Sequence, residues 1–558
     1  MNFRKLDIDP ARNPAVLDTA TWDGPAAWEV VRKAGDRWLA VRQATGGSEL
    51  PPVDGITCFA GSCVRNGEAL LFLAGLPDQQ QVFVRLGGSA ENAPLGQPLG
   101  QMQLAGQVEL AAYPAQAAVI DRFCRKFNPS NAPRALGRTP RLGIGVRMTT
   151  MVWPGIFDAM ERGGFAANSI QNSVRELNLL DDLLNATPAP KNYACGFGTI
   201  ESGYTGSSFE GLWVSGVLAA LRYGKPLRYG ADADHIQVKR ADVGFAWARR
   251  VLEAARYYTF YTIDVSDVLN YGALQNDAMA ETQFDEAMPD AKARRDLLTW
   301  HGGDTPTVRR FAAKYTVALD ALATLRSHIE QFKEGQPFDL ELSIDEHPAE
   351  VHAFDCLTSG DELLFVLREL KRRGLPTTHI APNFGVEKGV DYRHPGGLSA
   401  LHRRVETQHR QAEEFNVMLD VHSADDLGSA VREVLRKATG GCLHYKISPS
   451  LQLQFAEVLR DVHPDLFRRW WDDAMAYAGA EAAAGSAFAA LCLAAPGAAA
   501  RSPAHPVFHH FSFAFVGRRD RQGRFLQRQE FYALSPEFCE TYCRRVSDRL
   551  LRLAQELF

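Results

Sequence analysis

From residue 141 to residue 450 the chain repeats one texture: a short β-forming run, then a stretch long enough for a helix. The runs are RLGIGV (141–146), FAANSIQNS (165–173), KPLRYGADADH (225–235), YTFYTIDVSD (258–267), FDLELSIDEH (338–347), TTHIAPNFG (377–385), NVMLDVHSADD (416–426) and GCLHYKISPS (441–450). Between several of them lie amphipathic stretches such as GDELLFVLRELKRRG, with Leu363, Leu364, Val366, Leu367 and Leu370 on one side. Strands and helices in alternation imply parallel pairing and right-handed crossovers. Eight strands are the number that closes a barrel, so the expected class is α/β, a (β/α)8 TIM-type barrel.

A barrel of ~250 residues leaves much of a 558-residue chain over, enough for flanking domains. Residues 1–138 mix alternating runs with turn residues, as in Leu70-Leu71-Phe72-Leu73-Ala74-Gly75, and read as an N-terminal α+β accessory domain. Asn131, Pro133 and Gly137 mark a linker within Pro129–Pro140. The barrel is expected over 139–460, with a charged helical insertion at 272–333 that suits a lid or an interface arm and leaves a homo-oligomer open. Residues 461–558 read as a mostly helical C-terminal extension, with HPVFHHFSFAFVGRR extended, Trp470-Trp471 as packing and His509-His510 as filler.

Composition removes several classes. A net charge of −5 and a pI near 6.3 lack the basic footprint of a nucleic-acid binder. The N-terminal MNFRKLDIDPARNP has no apolar run before a small-residue cleavage site, so no secretory signal is expected. The alanine-rich 480–500 stretch carries Glu481, Gly485 and Pro496 and suits a packed helix better than a membrane span. Nine scattered cysteines fit a reducing cytoplasm and read as small buried hydrophobes.

The strand ends carry the chemistry. The third run ends Asp232-Ala233-Asp234-His235, and the fifth holds Glu341, Ser343, Asp345 and Glu346. The sixth leads through Asn383 to Glu387-Lys388-Gly389. The seventh ends Asp420-Val421-His422, and the eighth holds His444-Tyr445-Lys446. Active sites of such barrels lie at the carboxyl ends of the strands, where one His or Glu would mean little and several mean more. Imidazoles and carboxylates from separate strands are how a catalytic metal is held with an open position. Against this, His235 also suits a cap or a core, His422 precedes a turn that caps a helix, and Glu387 suits a solvated loop. His444 and Lys446 are taken as substrate contacts, an ammonium being suited to a carboxylate.

GADADH with Lys239-Arg240-Ala241-Asp242, FYTIDVSD, Glu341…Asp345-Glu346, IAPNF with EKGVDY (387–392), LDVHSADD and HYKIS together resemble the tagaturonate epimerase family, over roughly 141–470. NSVRE (172–176) and RLGIG add weaker matches. The chain departs from that family at its N-terminal region and at DVHSADD and HYKISPS. The resemblance implies an epimerase that interconverts D-tagaturonate and D-fructuronate with a divalent metal (Zn, Mn, Co or Ni), on a small sugar-acid substrate. It implies Asp234 and Glu341 as the acid–base pair, with Glu346 the rival acid. It implies His235, His422 and Glu387 as metal ligands. An aldose–ketose isomerase on a uronate, or a sugar-acid-binding protein without catalysis, are the alternatives.

Overall fold

The computed structural model describes residues 22–44, 50–88, 94–172, 178–187, 191–194, 198–201, 205–240, 242–346, 353–387, 391–422, 424–522 and 524–558. Residues 1–21, NSVRE beyond Asn172 and the centre of EKGVDY lie outside these residues.

Each of the eight runs forms a strand: β1 (Arg141–Gly145), β2 (Ala166–Gln171), β3 (Tyr229–Gln237), β4 (Phe260–Asp264), β5 (Asp339–Ser343), β6 (His379–Ala381), β7 (Met418–Val421) and β8 (Leu443–Ile447). All neighbours pair in parallel, and β8 returns to β1 with Lys446 opposite Gly143, closing the barrel. One set of alternating residues, including Leu142, Ile144, Tyr261, Ile263, Leu340, Leu342, Leu419 and Val421, belongs to the main apolar core. That burial holds the ring shut and leaves the inward positions free to be polar.

The helices that follow the strands are α1 (Trp153–Gly163), α2 (Phe209–Tyr223), α3 (Asp242–Ala254), α4 (Pro306–Lys333), α5 (Gly360–Arg372), α6 (Gly397–Glu414), α7 (Ser429–Thr439) and α8 (Pro449–Val462). α5 starts where Ser359 and Glu362 form a capping box, and it buries Leu363, Val366, Leu367 and Leu370. The 272–333 stretch divides: two helices, Asp277–Ala287 and Ala291–Trp300, form the excursion, while α4 packs against both α3 and α5. A buried Lys314–Glu362 ion pair of 2.7 Å fastens α4 to α5.

Ahead of the barrel stands an antiparallel sheet whose strands run in the order Thr57–Cys58, Ala69–Gly75, Gln81–Gly87, Val108–Pro114, Gly100–Leu104. Alternation splits its faces. Leu70, Phe72, Val82 and Val84 pack with Val31, Trp38 and Val41, while Leu71, Leu73 and Phe83 join the core shared with the barrel. Behind the barrel, helix Pro536–Leu557 packs along α1, α7 and α8. Trp470 is fully buried among Phe455, Phe508 and Phe531, as packing. The HPVFHH run departs from its expected extended form: Pro506–Phe511 is a helix. Among the described residues no helix is long and apolar enough to cross a membrane.

The amino-terminal end of the barrel is plugged by charge. Arg141 Nη1 meets Asp339 at 3.0 Å and Nη2 meets His379 Nε2 at 3.1 Å, all three fully or nearly buried. Asp339 also accepts from the amides of Leu136 and Gly137, tying the linker to the barrel floor. Removing one member of a buried pair strands the other, so Asp339→Ala should lower stability by about 3–5 kcal/mol, read as a fall in the denaturation midpoint.

Candidate active site

At the carboxyl end the inward residues converge on one ammonium. Lys446 Nζ on β8 donates to Asp234 Oδ1 at 2.9 Å, Glu341 Oε2 at 2.8 Å and Thr262 Oγ1 at 2.7 Å. Asp232 and Asp420 lie 3.3 and 3.6 Å away. Burial alone would lower the lysine's pKa, but Asp232, Asp234, Glu341 and Asp420 outweigh it and raise it well above its usual value. The same balance acts on the acids. Burial pushes Asp232 well up, whereas at Asp234 burial is overcome by Lys446, His235 and His422, and its carboxyl is lowered.

Lys446 reaches across the barrel because β1 gives way. A Cβ on Gly143 would stand 2.7 Å from Lys446 Cγ, 2.7 Å from His444 Nε2 and 2.6 Å from Gln171 Oε1. Side chains from β8 and β2 therefore fill the space that Gly143 of β1 leaves bare.

Above the lysine sit two imidazoles with centroids 4.7 Å apart, His235 and His422. Strict alternation would turn His235 away from Asp234. Instead the β3–β4 register shifts between Ala233 and Ile236, and His235 takes φ 52°, a left-handed conformation rare outside glycine. The bulge aims two consecutive residues inward. His235 Nδ1 then lies 3.2 Å from Asp264 Oδ2. His422 lies between acids, with Nε2 2.6 Å from Glu341 Oε1 and Nδ1 3.2 Å from Asp345 Oδ2. Burial would lower its pKa; Asp345 and Glu341 raise it well above the usual imidazole value. His444, fully buried beneath, approaches Asp420 at 2.7 Å, and burial with Lys446 nearby drives its pKa well below the usual value.

Among the described residues, two groups of buried side chains offer atoms close enough to hold one cation: Asp234, His235 and His422, and below them Glu341, Asp420 and His444. The donor set suits a divalent metal. Neither nitrogen of His422, and neither oxygen of Asp420, makes a well-directed hydrogen bond, although charged partners are close. Six carboxyl groups (Asp232, Asp234, Asp264, Glu341, Asp345, Asp420) surround one lysine and two histidines, an excess of negative charge that a cation relieves.

Of the residues singled out in the sequence, Asp234, His235, Glu341, His422, His444 and Lys446 come together here. The Glu387 carboxylate is held by Arg393 at 2.7 and 2.8 Å, and among the described residues it belongs to neither cation-holding group. Lys446 is engaged with protein carboxylates rather than presented as a bare cation. Glu346 lies past the end of β5, where its carbonyl accepts from Tyr271. Sequence reasoning assigned no role to Asp232, Thr262, Asp264, Asp345, Asp420 or Gln171. The signal for most was their place on the inward parity of their strands. A cavity of about 450 Å3 lined by Leu370, Thr377, Phe415 and Val417 opens near the starts of β6 and β7, away from this cluster.

Fold and site define a (β/α)8 barrel with a buried acid, imidazole and lysine cluster at its carboxyl end. The family model for tagaturonate epimerase matches residues 199–484, just over half of the chain, and the chain belongs to that family. A relative, the tagaturonate/fructuronate epimerase of Thermotoga maritima, is 26% identical over 421 residues, covering 72% of this chain and 76% of that protein. Solved structures of the fructuronate-tagaturonate epimerase UxaE from Cohnella laeviribosi share the fold. The glycerol complex has a TM-score of 0.64 at 19% identity, covering 90% of this chain and 96% of that one. The native form has 0.64 at 18%, covering 94% and 99%.

Lys446→Met tests the charge balance. Without the ammonium only His235 and His422 oppose burial at Asp234, and its folded carboxyl pKa should rise, to above the unfolded value where burial outweighs them. The stability of such groups is present in acid and is lost as pH climbs from the unfolded toward the folded pKa. Unfolding of the variant and the parent, followed from pH 4 to 8, should diverge as pH rises. A constant gap would mean that Lys446 does not hold Asp234 ionised.

Proposed function

We propose that this chain inverts a carbinol carbon of a hexulosonate, interconverting D-tagaturonate and D-fructuronate, with Asp234 and Glu341 as its proton-transfer pair. Family membership supports the substrate. One observation carries the chemistry: Lys446 Nζ touches both carboxylates, at 2.9 and 2.8 Å, beside His235 and His422. A protein that only bound a sugar acid would gain nothing from burying that pair.

In these hexulosonates the inverted carbon is not adjacent to the ketone, so removing an α-proton does not reach it. Retro-aldol cleavage with re-addition reaches it, and so does migration of the carbonyl. Either route needs a carboxylate to take a proton from the substrate and an acid to return one. Lys446 favours the ionised form of Asp234 and donates to Glu341 at 2.8 Å, and Thr262 Oγ1, 3.1 Å from Glu341 Oε2, fixes the orientation of Glu341. Gln171 Nε2 does the same for Asp234 Oδ2 at 3.2 Å.

A divalent cation, when bound, polarises the substrate's oxygens and offsets the charge that develops on them. His235 and His422 hold it. Asp234 is the carboxylate grouped with them, which favours a second reading in which it is the third ligand instead of Glu387. Metal content of Asp234→Asn and Glu387→Gln decides between the two.

Chelation should abolish turnover, and Zn, Mn, Co or Ni should restore it. His422→Ala should weaken metal binding by more than the roughly 10- to 100-fold that a supporting residue is worth, with circular dichroism unchanged. Full activity in a metal-free preparation would overturn the assignment.

Glu341→Gln should keep its metal while turnover drops by roughly 100- to 10,000-fold, and Asp234→Asn should fall comparably. Glu346→Gln should stay largely active. The assay includes galacturonate and glucuronate, because turnover of those aldehydes would mark an aldose–ketose isomerase.

A further inference from the structure

The bulge on β3 aims His235 inward but leaves open which of its two ring nitrogens faces the site. That choice falls to Asp264 at the end of β4. His235 Nδ1 lies 3.2 Å from Asp264 Oδ2, while Nε2 lies on the inner side, 3.9 Å from Asp234 Oδ1. A carboxylate accepts and does not donate, so it selects Nδ1 as the protonated nitrogen. The lone pair of Nε2 is left facing Asp234 and His422.

Asp264 is itself pinned. The Ser266 amide donates to its Oδ1 at 3.1 Å, and Gln237 Nε2 to its Oδ2 at 3.5 Å. Both oxygens are engaged with protein donors, and among the described residues Asp264 belongs to neither cation-holding group. Nor does the bulge depend on its side chain. Main-chain pairing resumes with Ile236 opposite Ile263 and Gln237 opposite Asp264, and the Val238 amide donates to the Asp264 carbonyl at 2.8 Å. What the carboxylate adds, at 3% exposure, is a fixed acceptor for one ring nitrogen. The other imidazole is arranged alike. His422 turns Nδ1 toward Asp345, 3.2 Å away, and the Ser343 hydroxyl donates to Asp345 at 2.7 Å.

Resting on the metal site proposed above, we propose that Asp264 is a positioning residue for that metal. Acting through His235, it keeps the ring proton on Nδ1 and so presents Nε2 as the ligand atom.

Zinc binding tests this. In competition with a chelator, Asp264→Asn should bind zinc roughly 10- to 100-fold more weakly than the parent, because an amide can also donate to Nδ1 and favour the wrong tautomer. Asp264→Glu, which returns a carboxylate, should recover part of the loss. Melting with and without zinc separates positioning from anchoring. A positioning residue shrinks the rise in melting temperature that zinc gives, whereas an anchor lowers both melts and leaves the rise intact. Parental zinc affinity in a folded Asp264→Asn protein would overturn the proposal. Nitrogen-15 spectra of the zinc-loaded parent need no variant: the ring proton of His235 should sit on Nδ1. A proton on Nε2 would overturn the proposal even if Asp264→Asn does not fold. The failures are distinct. A parent that binds no divalent metal sinks the metal in the proposed function and this role with it. A parent that binds zinc but turns over no hexulosonate sinks the reaction, while the zinc comparison still decides the role of Asp264.

Discussion

Taking Lys446 and four carboxylates out of water costs several kcal/mol per ion before any attraction is counted. Only a rigid frame can keep that cost from being relieved by collapse or by water. The barrel is such a frame, because its outward residues are sealed under helices whatever its interior holds. The interior is then free to depart from the layered apolar packing usual in this architecture, and it is charged from floor to rim. Arg141, Asp339 and His379 close one end as neutralised ballast. At the other end the charge is left in excess, which is what a site that handles protons and cations requires.

Much of this was readable in the sequence, for a definite reason. Each barrel strand is short and apolar on its outward parity, so the runs stood out and their number pointed to closure. The strand-end residues were visible because Asp, Glu, His and Lys are depleted in strands. Their partnership was not visible. Lys446 donates to carboxylates 105 and 212 residues earlier in the chain, and only the closed ring brings them to one atom. The carboxylate expected from the 387 loop is bound to Arg393, while Asp234 stands with the imidazoles.

Local chemistry misled in two places. The aromatic run at 506–511 has strong β propensity, yet it is a helix that buries Val507, Phe508 and Phe511, with Phe508 on Trp470 and Phe511 against Tyr477 and Phe488. The charged pattern of 306–333 read as part of an excursion, yet that helix completes the ring. Its polar residues include Lys314, whose ion pair with Glu362 is a core contact in spite of its charge.

The bulge at His235 makes the length of a strand part of the chemistry. Asp234 and His235 face the same way only because β3 carries one residue more than its pairing with β4 needs. A one-residue deletion at Ala233 would change no side chain named in the site. It would restore plain alternation and rotate one member of the pair into the helical layer. Spacing along β3 is therefore under the same constraint as residue identity, and relatives that share the Asp-His pair but differ in the count before it would hold it in a different geometry.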